Sequence, residues 1–216
     1  MNFAFPPSDH ISLPITGTDE RFPVRRIYCV GRNYADHVRE MGGDAARSEP
    51  VIFTKAPQTI VQSGADIPYP PNTDDLHYEV ELVVAIGTDG IFAYGVGIDM
   101  TRRDLQAKAK TKGGPWDRAK NFSDSAPCSA LTLAGTVNLS SANIELRKNG
   151  DVVQRSALNK MIWSVDEIID YLKKDMGLQA GDLIYTGTPA GVGPVTAGDE
   201  LSGSVEGLEE IAVRFV

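Results

Sequence analysis

Cysteine and histidine are both scarce in this chain. It has two cysteines, Cys29 and Cys128, and three histidines among 216 residues, and neither cysteine belongs to a CxxC pair. A disulfide framework or a thiolate metal site needs several suitably spaced cysteines, so neither is predicted. Free thiols of this kind are expected in a reducing compartment such as the cytoplasm.

Basic residues and long apolar runs are also few. Lys and Arg number 21 against 29 Asp and Glu, which gives a net charge of −8. A nucleic-acid partner requires a basic face and is excluded, although a few local cations can still bind an acidic small molecule. No apolar run approaches the roughly 18 residues of a membrane span, and residues 1–10 lack the features of a signal peptide. We therefore predict a soluble, cytoplasmic protein without a membrane partner.

The apolar pattern predicts many strands and few helices. Residues 1–25 are predicted to form a leader, either a loop or a short hairpin, before a main domain of residues 26–216. Predicted strands cover 26–30, 51–54, 59–62, 78–86, 91–98, 144–148, 151–155, 182–186, 200–205 and 210–216. Predicted helices cover 33–41, 101–112 and 164–176. Because helices and strands do not alternate, we predict an α+β fold with a mainly antiparallel, rolled or sandwiched sheet. No GxGxxG or GxxxxGK[ST] motif supports nucleotide binding.

Three acidic residues are predicted to form a metal site. Glu79 and Glu81 alternate in an apolar strand, so their carboxylates share one face about 7 Å apart along the chain. Burying two unpaired carboxylates would be costly, and a cation would relieve that cost. Asp99 ends the next strand and could supply a third carboxylate. An all-oxygen set favours Mg²⁺ or Mn²⁺ over zinc, whereas the simpler alternative is a solvated strand face.

His37 is the best candidate for a general base. It lies on the apolar stripe of the predicted helix 33–41, and Glu40 shares its face three residues later. The carboxylate could orient the imidazole and tune its charge. The simpler alternative is a surface His beside a surface Glu. The other histidines, His10 in the leader and His77 beside the acidic strand, are less well placed.

Two further stretches contain groups that could bind a substrate. Lys120 lies between Trp116 and Phe122, where it either reaches a site or only crosses apolar surface. The loop 186–193 combines Thr188 with three glycines, which would allow close backbone approach and hydroxyl donation to a carboxylate. The same composition is typical of an ordinary tight loop between strands.

Six stretches in a fixed order complete the pattern. They are CVGRNY at 29–34 with His37 and Glu40, YEVEL at 78–82, DMTRRD at 99–104, PW at 115–116 with Lys120, MIWS at 161–164, and GDLIYTGTPAGVG at 181–193. Together they resemble the fumarylacetoacetate hydrolase family, and within it the enzymes that hydrolyse fumarylpyruvate and other acylpyruvates. The segments after Ile86 and Leu131 are shorter than the family's usual pattern, which leaves loop-borne specificity open.

The resemblance implies the family's mixed β-roll fold, a homodimer and a magnesium cofactor, with manganese as the alternative. The implied metal ligands are Glu79, Glu81 and Asp99. The implied catalytic residues are His37, Glu40 and Lys120, with the His37 helix ordering over the site when ligand binds. The predicted substrate-binding residues are Arg32, Arg103, Gln106 and Thr188.

The resemblance also implies hydrolysis of a carbon–carbon bond in a small keto acid such as 3-fumarylpyruvate. His37 would take a proton from water, and the metal would stabilise the departing pyruvate enolate. The same groups could serve oxaloacetate decarboxylation or general acylpyruvate cleavage and, less readily, keto–enol tautomerisation or binding without catalysis. The acyl group stays open, and the cations that could bind a second carboxylate are Arg32, Arg25, Arg26 and Arg47.

Overall fold

The computed structural model describes residues 2–6, 9–44 and 46–216, so Met1, Pro7 and Ser8 of the predicted leader fall outside it. The strands are β1 (Ser12–Pro14), β2 (Arg21–Pro23), β3 (Arg26–Gly31), β4 (Val51–Lys55), β5 (Ile60–Gln62), β6 (Asp66–Ile67), β7 (Leu76–Tyr78), β8 (Val80–Ile86), β9 (Ile91–Ile98), β10 (Thr101–Arg102), β11 (Ala126–Cys128), β12 (Thr132–Leu133), β13 (Asn143–Lys148), β14 (Asp151–Ala157), β15 (Asp182–Tyr185), β16 (Gly193–Val195), β17 (Glu200–Val205) and β18 (Ile211–Phe215). The helices are α1 (Ala35–Glu40), α2 (Arg103–Lys112), α3 (Asp117–Lys120) and α4 (Val165–Asp175), with 3₁₀ turns at Pro57–Thr59, Ala134–Thr136 and Leu158–Lys160. The predicted mainly antiparallel sheet fold with few short helices is confirmed.

The main sheet has eight strands in the order β4-β3-β15-β8-β9-β11-β5, with β12 pairing to β9. Neighbouring strands are antiparallel except β3 with β15 and β5 with β11. Because β3 and β15 run parallel, their carboxyl ends lie at one edge, beside the start of β8 and the end of β9. The functional residues at 31–33, 79–81, 99 and 186–188 therefore converge on that edge.

A second sheet of five strands, in the order β14-β13-β17-β18-β6, packs against the main one. Leu82 and Val84 of β8 contribute to the core between them, as do Leu146 of β13, Val213 of β18 and Leu172 of α4. Each such buried aliphatic side chain contributes roughly 1.5–3 kcal/mol. The two sheets therefore form the sandwich predicted from the alternating apolar pattern.

The opposite face of the main sheet is covered by the N-terminal hairpin. Strands β1 and β2 pair antiparallel, which confirms the hairpin alternative for the leader. Leu13 and Phe22 of this hairpin are buried in one cluster with Ile27, Val83 and Ala85. Strand β8 is thus apolar on both faces, its odd-numbered residues facing this cluster and its even-numbered residues the core between the sheets.

The predicted long strand 78–86 is interrupted at Glu79. Residues before the break form β7, which joins β10 and β16 in a three-stranded sheet, while those after it form β8 of the main sheet. The Asp99 amide donates to the Glu79 carbonyl at 2.8 Å, which holds the break beside the end of β9. The prediction of one continuous strand was wrong, because the chain passes from one sheet to another at Glu79.

Other local predictions hold with small changes of boundary. Asn149 and Gly150 have positive φ angles of 53° and 91° and close the β13–β14 hairpin, as an Asn-Gly pair does in a type I′ turn. Ser164 and Glu167 form the predicted capping box at the start of α4. The short connection after Ile86 is a tight turn in which the Gly87 amide donates to the Gly90 carbonyl. Within the described ranges, no helix is both long and apolar enough to span a membrane.

Candidate active site

The three predicted metal ligands lie together in the interior. Glu79, Glu81 and Asp99 are 5%, 2% and 0% exposed. Each has a carboxylate oxygen within 4.8 Å of one from the other two. Glu79 reaches this position from the break between β7 and β8, and Asp99 from the end of β9. Buried carboxylates at this separation repel one another and need compensating positive charge.

Lys120 supplies part of that charge. Its Nζ donates to Glu79 Oε2 at 2.7 Å, to Asp99 Oδ2 at 2.6 Å and to Thr101 Oγ1 at 2.6 Å. Its side chain is 3% exposed, so the ammonium belongs to the site and does not merely lie across apolar surface. Arg103 adds a second cation, with its Nη2 2.5 Å from Glu79 Oε1.

Lys55 is a third cation that the sequence pattern did not indicate. Its side chain is fully buried, and its Nζ lies 2.9 Å from Asp99 Oδ1, although without the alignment of a hydrogen bond. The same ammonium donates to the Met100 carbonyl at 3.3 Å, to the Lys120 carbonyl and to Ser125 Oγ at 3.1 Å. The available signal was a lysine ending the apolar run 51–54, which by itself is common at a strand end.

The charges around the cluster shift the carboxylate pKa values in opposite directions. Burial acts to raise the pKa of Glu79, but Lys120 and then Arg103 outweigh it and hold that pKa well below its usual range. Burial, followed by repulsion from Asp99 and Glu79, raises the pKa of Glu81 well above its usual value. Burial acts to lower the pKa of Lys120, but the carboxylates of Asp99 and Glu79 outweigh it and raise that pKa. Lys120 therefore stays charged. A bound cation would offset the repulsion that raises the pKa of Glu81.

The donor set fits a hard divalent cation. Three carboxylates close to one another are the oxygen ligands that Mg²⁺ and Mn²⁺ use. Among the described residues, Asp99 Oδ1 accepts no hydrogen bond, although Lys55 Nζ lies 2.9 Å away. The Gly187 amide, in the loop after β15, donates to Glu81 Oε2 at 2.8 Å and orients this carboxylate. Only glycine fits there, since its φ is 102° and a Cβ would lie 2.6 Å from Asn33 Cβ.

His37 and Glu40 form the predicted pair on α1. His37 Nδ1 lies 3.2 Å from Glu40 Oε2, and the ring is 7% exposed. The other Glu40 oxygen accepts the Gly191 amide at 3.0 Å, so the carboxylate bridges α1 and the loop after β15. A Cβ on Gly191 would lie 2.1 Å from the Val153 carbonyl, so only glycine allows this approach. Because a carboxylate only accepts, Nδ1 carries the proton in the neutral imidazole, and that tautomer has its lone pair on Nε2.

Thr188 is held by a residue that the sequence did not indicate, Gln154 of β14. Gln154 is 1% exposed, and its Oε1 accepts the Val80 amide at 2.9 Å. This contact orients its Nε2 to donate to Thr188 Oγ1 at 2.9 Å and to the Pro189 carbonyl at 2.8 Å. Since the Thr188 oxygen already accepts, its proton is available to donate elsewhere.

Nine of the ten predicted site residues line one cleft that is open to solvent. They are Arg32, His37, Glu79, Glu81, Asp99, Arg103, Gln106, Lys120 and Thr188. The tenth, Glu40, contacts His37 from behind. Phe53, Lys110 and Trp116 also line the cleft and were not among the predicted residues. A base, a cluster of carboxylates and several cations thus face one small volume, as in an enzyme for an anionic small molecule.

Fold and site together define the class of protein. The sequence profile described as "Fumarylacetoacetate (FAA) hydrolase C-terminal" matches residues 26–216, and the chain belongs to this family of enzymes.

Individual relatives narrow the comparison. A fumarylpyruvate hydrolase from a Ralstonia species is 46% identical over 181 residues, covering 79% of this chain and 94% of its own. A mitochondrial oxaloacetate tautomerase from Bos taurus is 41% identical, covering 88% of this chain and 90% of its own. The crystal structure of fumarylpyruvate hydrolase from Pseudomonas aeruginosa, in complex with Mn²⁺ and pyruvate, superposes with a TM-score of 0.96 at 44% identity. That match covers 100% of this chain and 99% of the other.

Proposed function

We propose that this chain hydrolyses an acylpyruvate, with 3-fumarylpyruvate as its substrate and fumarate and pyruvate as products. The observation that carries the proposal is the placement of the His37–Glu40 pair and the three-carboxylate cluster on one cleft. The likeness to fumarylpyruvate hydrolases in sequence and structure supports the same substrate.

In this proposal His37 is the general base. Glu40 holds Nδ1–H of the imidazole, so that Nε2 accepts a proton from water in the cleft. The oxygen of that water bonds to the acyl carbonyl carbon of the substrate. The bond from that carbon to the pyruvate methylene then breaks, its electron pair passes to the pyruvate enolate, and the methylene carbon takes up the proton that His37 had accepted. General-base help of this kind contributes typically about 10²–10⁴-fold in rate.

The remaining residues bind the pyruvate half. A divalent cation held by Glu79, Glu81 and Asp99, which we propose to be Mg²⁺ with Mn²⁺ as a substitute, would supply positive charge that stabilises the enolate of the departing pyruvate. Lys120 adds a fixed ammonium next to this position, with Arg103 and Gln106 on the adjoining face of α2. The Thr188 hydroxyl donates to the substrate carboxylate.

The test is a direct assay of the purified chain with fumarylpyruvate. Loss of the enol absorbance and release of pyruvate are followed with Mg²⁺, with Mn²⁺ and after removal of metal with EDTA. We expect metal-dependent release of one pyruvate for each substrate lost, with faster turnover of fumarylpyruvate than of acetylpyruvate. Equal rates for both would instead indicate a general acylpyruvase, and no pyruvate from either would refute hydrolysis.

Oxaloacetate tautomerisation is the second candidate, because tautomerases with that substrate are similar over most of this chain. A tautomerase converts the enol of oxaloacetate to the keto form and releases no pyruvate. Oxaloacetate decarboxylation would release pyruvate without fumarate. Product analysis with both substrates therefore separates the three reactions. The homodimer and the cytoplasmic location implied by the sequence also stay predictions, to be checked by light scattering and by cell fractionation.

A further inference from the structure

The cleft contains more cations than its carboxylates use. Arg103 and Lys120 pair with Glu79, and Lys120 also with Asp99. Arg32 and Lys110 line the same cleft. In the part of the chain that the structure describes, neither has a carboxylate within 4.0 Å of its charged nitrogens. Positive charge is therefore left over on one side of the cleft.

Helix α2 directs Lys110 towards this region. Arg103, Gln106 and Lys110 lie at i, i+3 and i+7, which places them on one helix face, and all three line the cleft. Lys108 lies on the same helix and does not line the cleft, although both lysines are exposed. Partial desolvation of the ammonium, then Arg103 and Arg32, lower the pKa of Lys110, in keeping with like charges that face one another.

The backbone of Arg32 has a conformation that glycine would adopt more easily. Its φ is 61°, in the left-handed region that is unfavourable for a residue with a long side chain. An arginine kept in that conformation at the edge of a cleft indicates that its side chain serves a purpose there.

Two aromatic rings line the cleft near Lys110. Phe53 and Trp116 line the cleft, their ring centroids are 5.9 Å apart, and Lys110 Nζ lies 5.3 Å from the Trp116 centroid. A planar, conjugated carbon chain that ends in a carboxylate matches such a surface, because its body packs on the rings while its charge meets the cations.

We propose that Lys110 and Arg32 form an anion subsite that binds the second carboxylate of the substrate, so that the site selects unsaturated keto acids with a carboxylate at each end. This inference rests on the proposed function and extends it. Thr188 and the carboxylate cluster receive the keto-acid end of the substrate, and Lys110 and Arg32 receive the far end.

The test compares two substrates that differ only at the far end. Fumarylpyruvate ends in a carboxylate, and crotonylpyruvate has a methyl group in its place. We expect Lys110→Met and Arg32→Gly each to lower the ratio of the two kcat/KM values by about tenfold, the loss of one charge-assisted hydrogen bond in a partly exposed site. Glycine suits the left-handed backbone at position 32, so this variant keeps the fold. Lys108→Met, on the same helix, is the matched control and keeps the wild-type ratio.

Binding without turnover separates this inference from the proposed function. Affinities for 2-oxopimelate and 2-oxoheptanoate, which again differ by a terminal carboxylate, are measured by calorimetry in the presence of Mg²⁺. A wild-type preference for 2-oxopimelate that Lys110→Met removes supports the subsite even if acylpyruvates are not cleaved. An unchanged preference in both variants, or an equal loss for both ligands, would overturn it.

Discussion

The buried ammonium of Lys55 offers a quantitative test of how the acidic cluster is stabilised. Replacing Lys55 by Met keeps the length of the side chain and removes the cation 2.9 Å from Asp99 Oδ1. Among the residues that the structure describes, Asp99 then keeps only Lys120 as a cationic partner, and the Met100 carbonyl loses the Lys55 N–H contact. Removing one partner of a buried ion pair lowers the free energy of unfolding by about 3–5 kcal/mol. That is a large part of the 5–15 kcal/mol typical of a whole domain.

The measurement is urea unfolding of wild type and Lys55→Met, each in EDTA and in saturating Mg²⁺. In EDTA the free energy of unfolding should fall by about 3–5 kcal/mol. Magnesium should stabilise the variant more than the wild type. The cluster of the variant has lost a cation that repels the metal, so its affinity for Mg²⁺ should be higher. Tighter binding to the folded state adds more to the free energy of unfolding.

Lys148→Met is the matched control for this experiment. Lys148 pairs with Asp199 at 3.1 Å, but its side chain is 27% exposed, so its loss should cost about 1 kcal/mol or less. A Lys55→Met protein within about 1 kcal/mol of wild type in EDTA would refute the view that this cation neutralises Asp99.

Three other predictions test separate parts of the site and fold. His37→Ala should lower turnover about 10²–10⁴-fold while Mg²⁺ affinity, measured by calorimetry, stays near wild type; His10→Ala is the control, and wild-type turnover in His37→Ala would disprove the base assignment. Gln154→Leu should raise KM and also lower the free energy of unfolding by about 1–3 kcal/mol, since the buried Val80 amide loses its acceptor. Thr188→Val should also raise KM, but it should lower the free energy of unfolding less than Gln154→Leu does. Equal losses of unfolding free energy in the two variants would contradict the positioning role of Gln154. Burial acts to raise the pKa of Asp199, but contacts with Asn149 and Thr196 outweigh it and lower that pKa to about 2. Its stabilising contribution is therefore present above the unfolded pKa of about 4 and is lost as the pH falls from there towards 2. The stability difference between wild type and Asp199→Asn in urea unfolding should shrink over that window, and a constant difference would argue against it.

Several features followed from short stretches of sequence because they depend on neighbouring residues. The Asn149-Gly150 turn and the Ser164–Glu167 capping box are local hydrogen-bonding patterns, so residue type and spacing were sufficient to predict them. Strand alternation correctly divided the side chains of β8 between two faces. It also brought Glu79 and Glu81 together, although the strand itself breaks at Glu79.

The His37–Glu40 pair lies between these local features and the long-range ones. Helical spacing predicted that the two side chains share a face, and they do. The contact that anchors Glu40 comes from the Gly191 amide, 151 positions further along the chain. Spacing thus identified the pair, but could not show that Glu40 is anchored to the loop after β15.

Tertiary structure alone decided which distant groups surround the carboxylates. Lys55, Gln154 and Lys110 carry no motif, because a lysine at a strand end, a glutamine in a hairpin and a lysine on a helix are ordinary residues in sequence. The insertion of β15 between β3 and β8 brings the loop containing Thr188 to the edge where the acids lie. That strand order depends on long-range pairing and on burial of both sheet faces, and no local pattern specifies it. The acids, His37 and Lys120 were therefore indicated by the sequence, whereas the contributions of Lys55 and Lys110 to the charge of the site became apparent only in the folded chain.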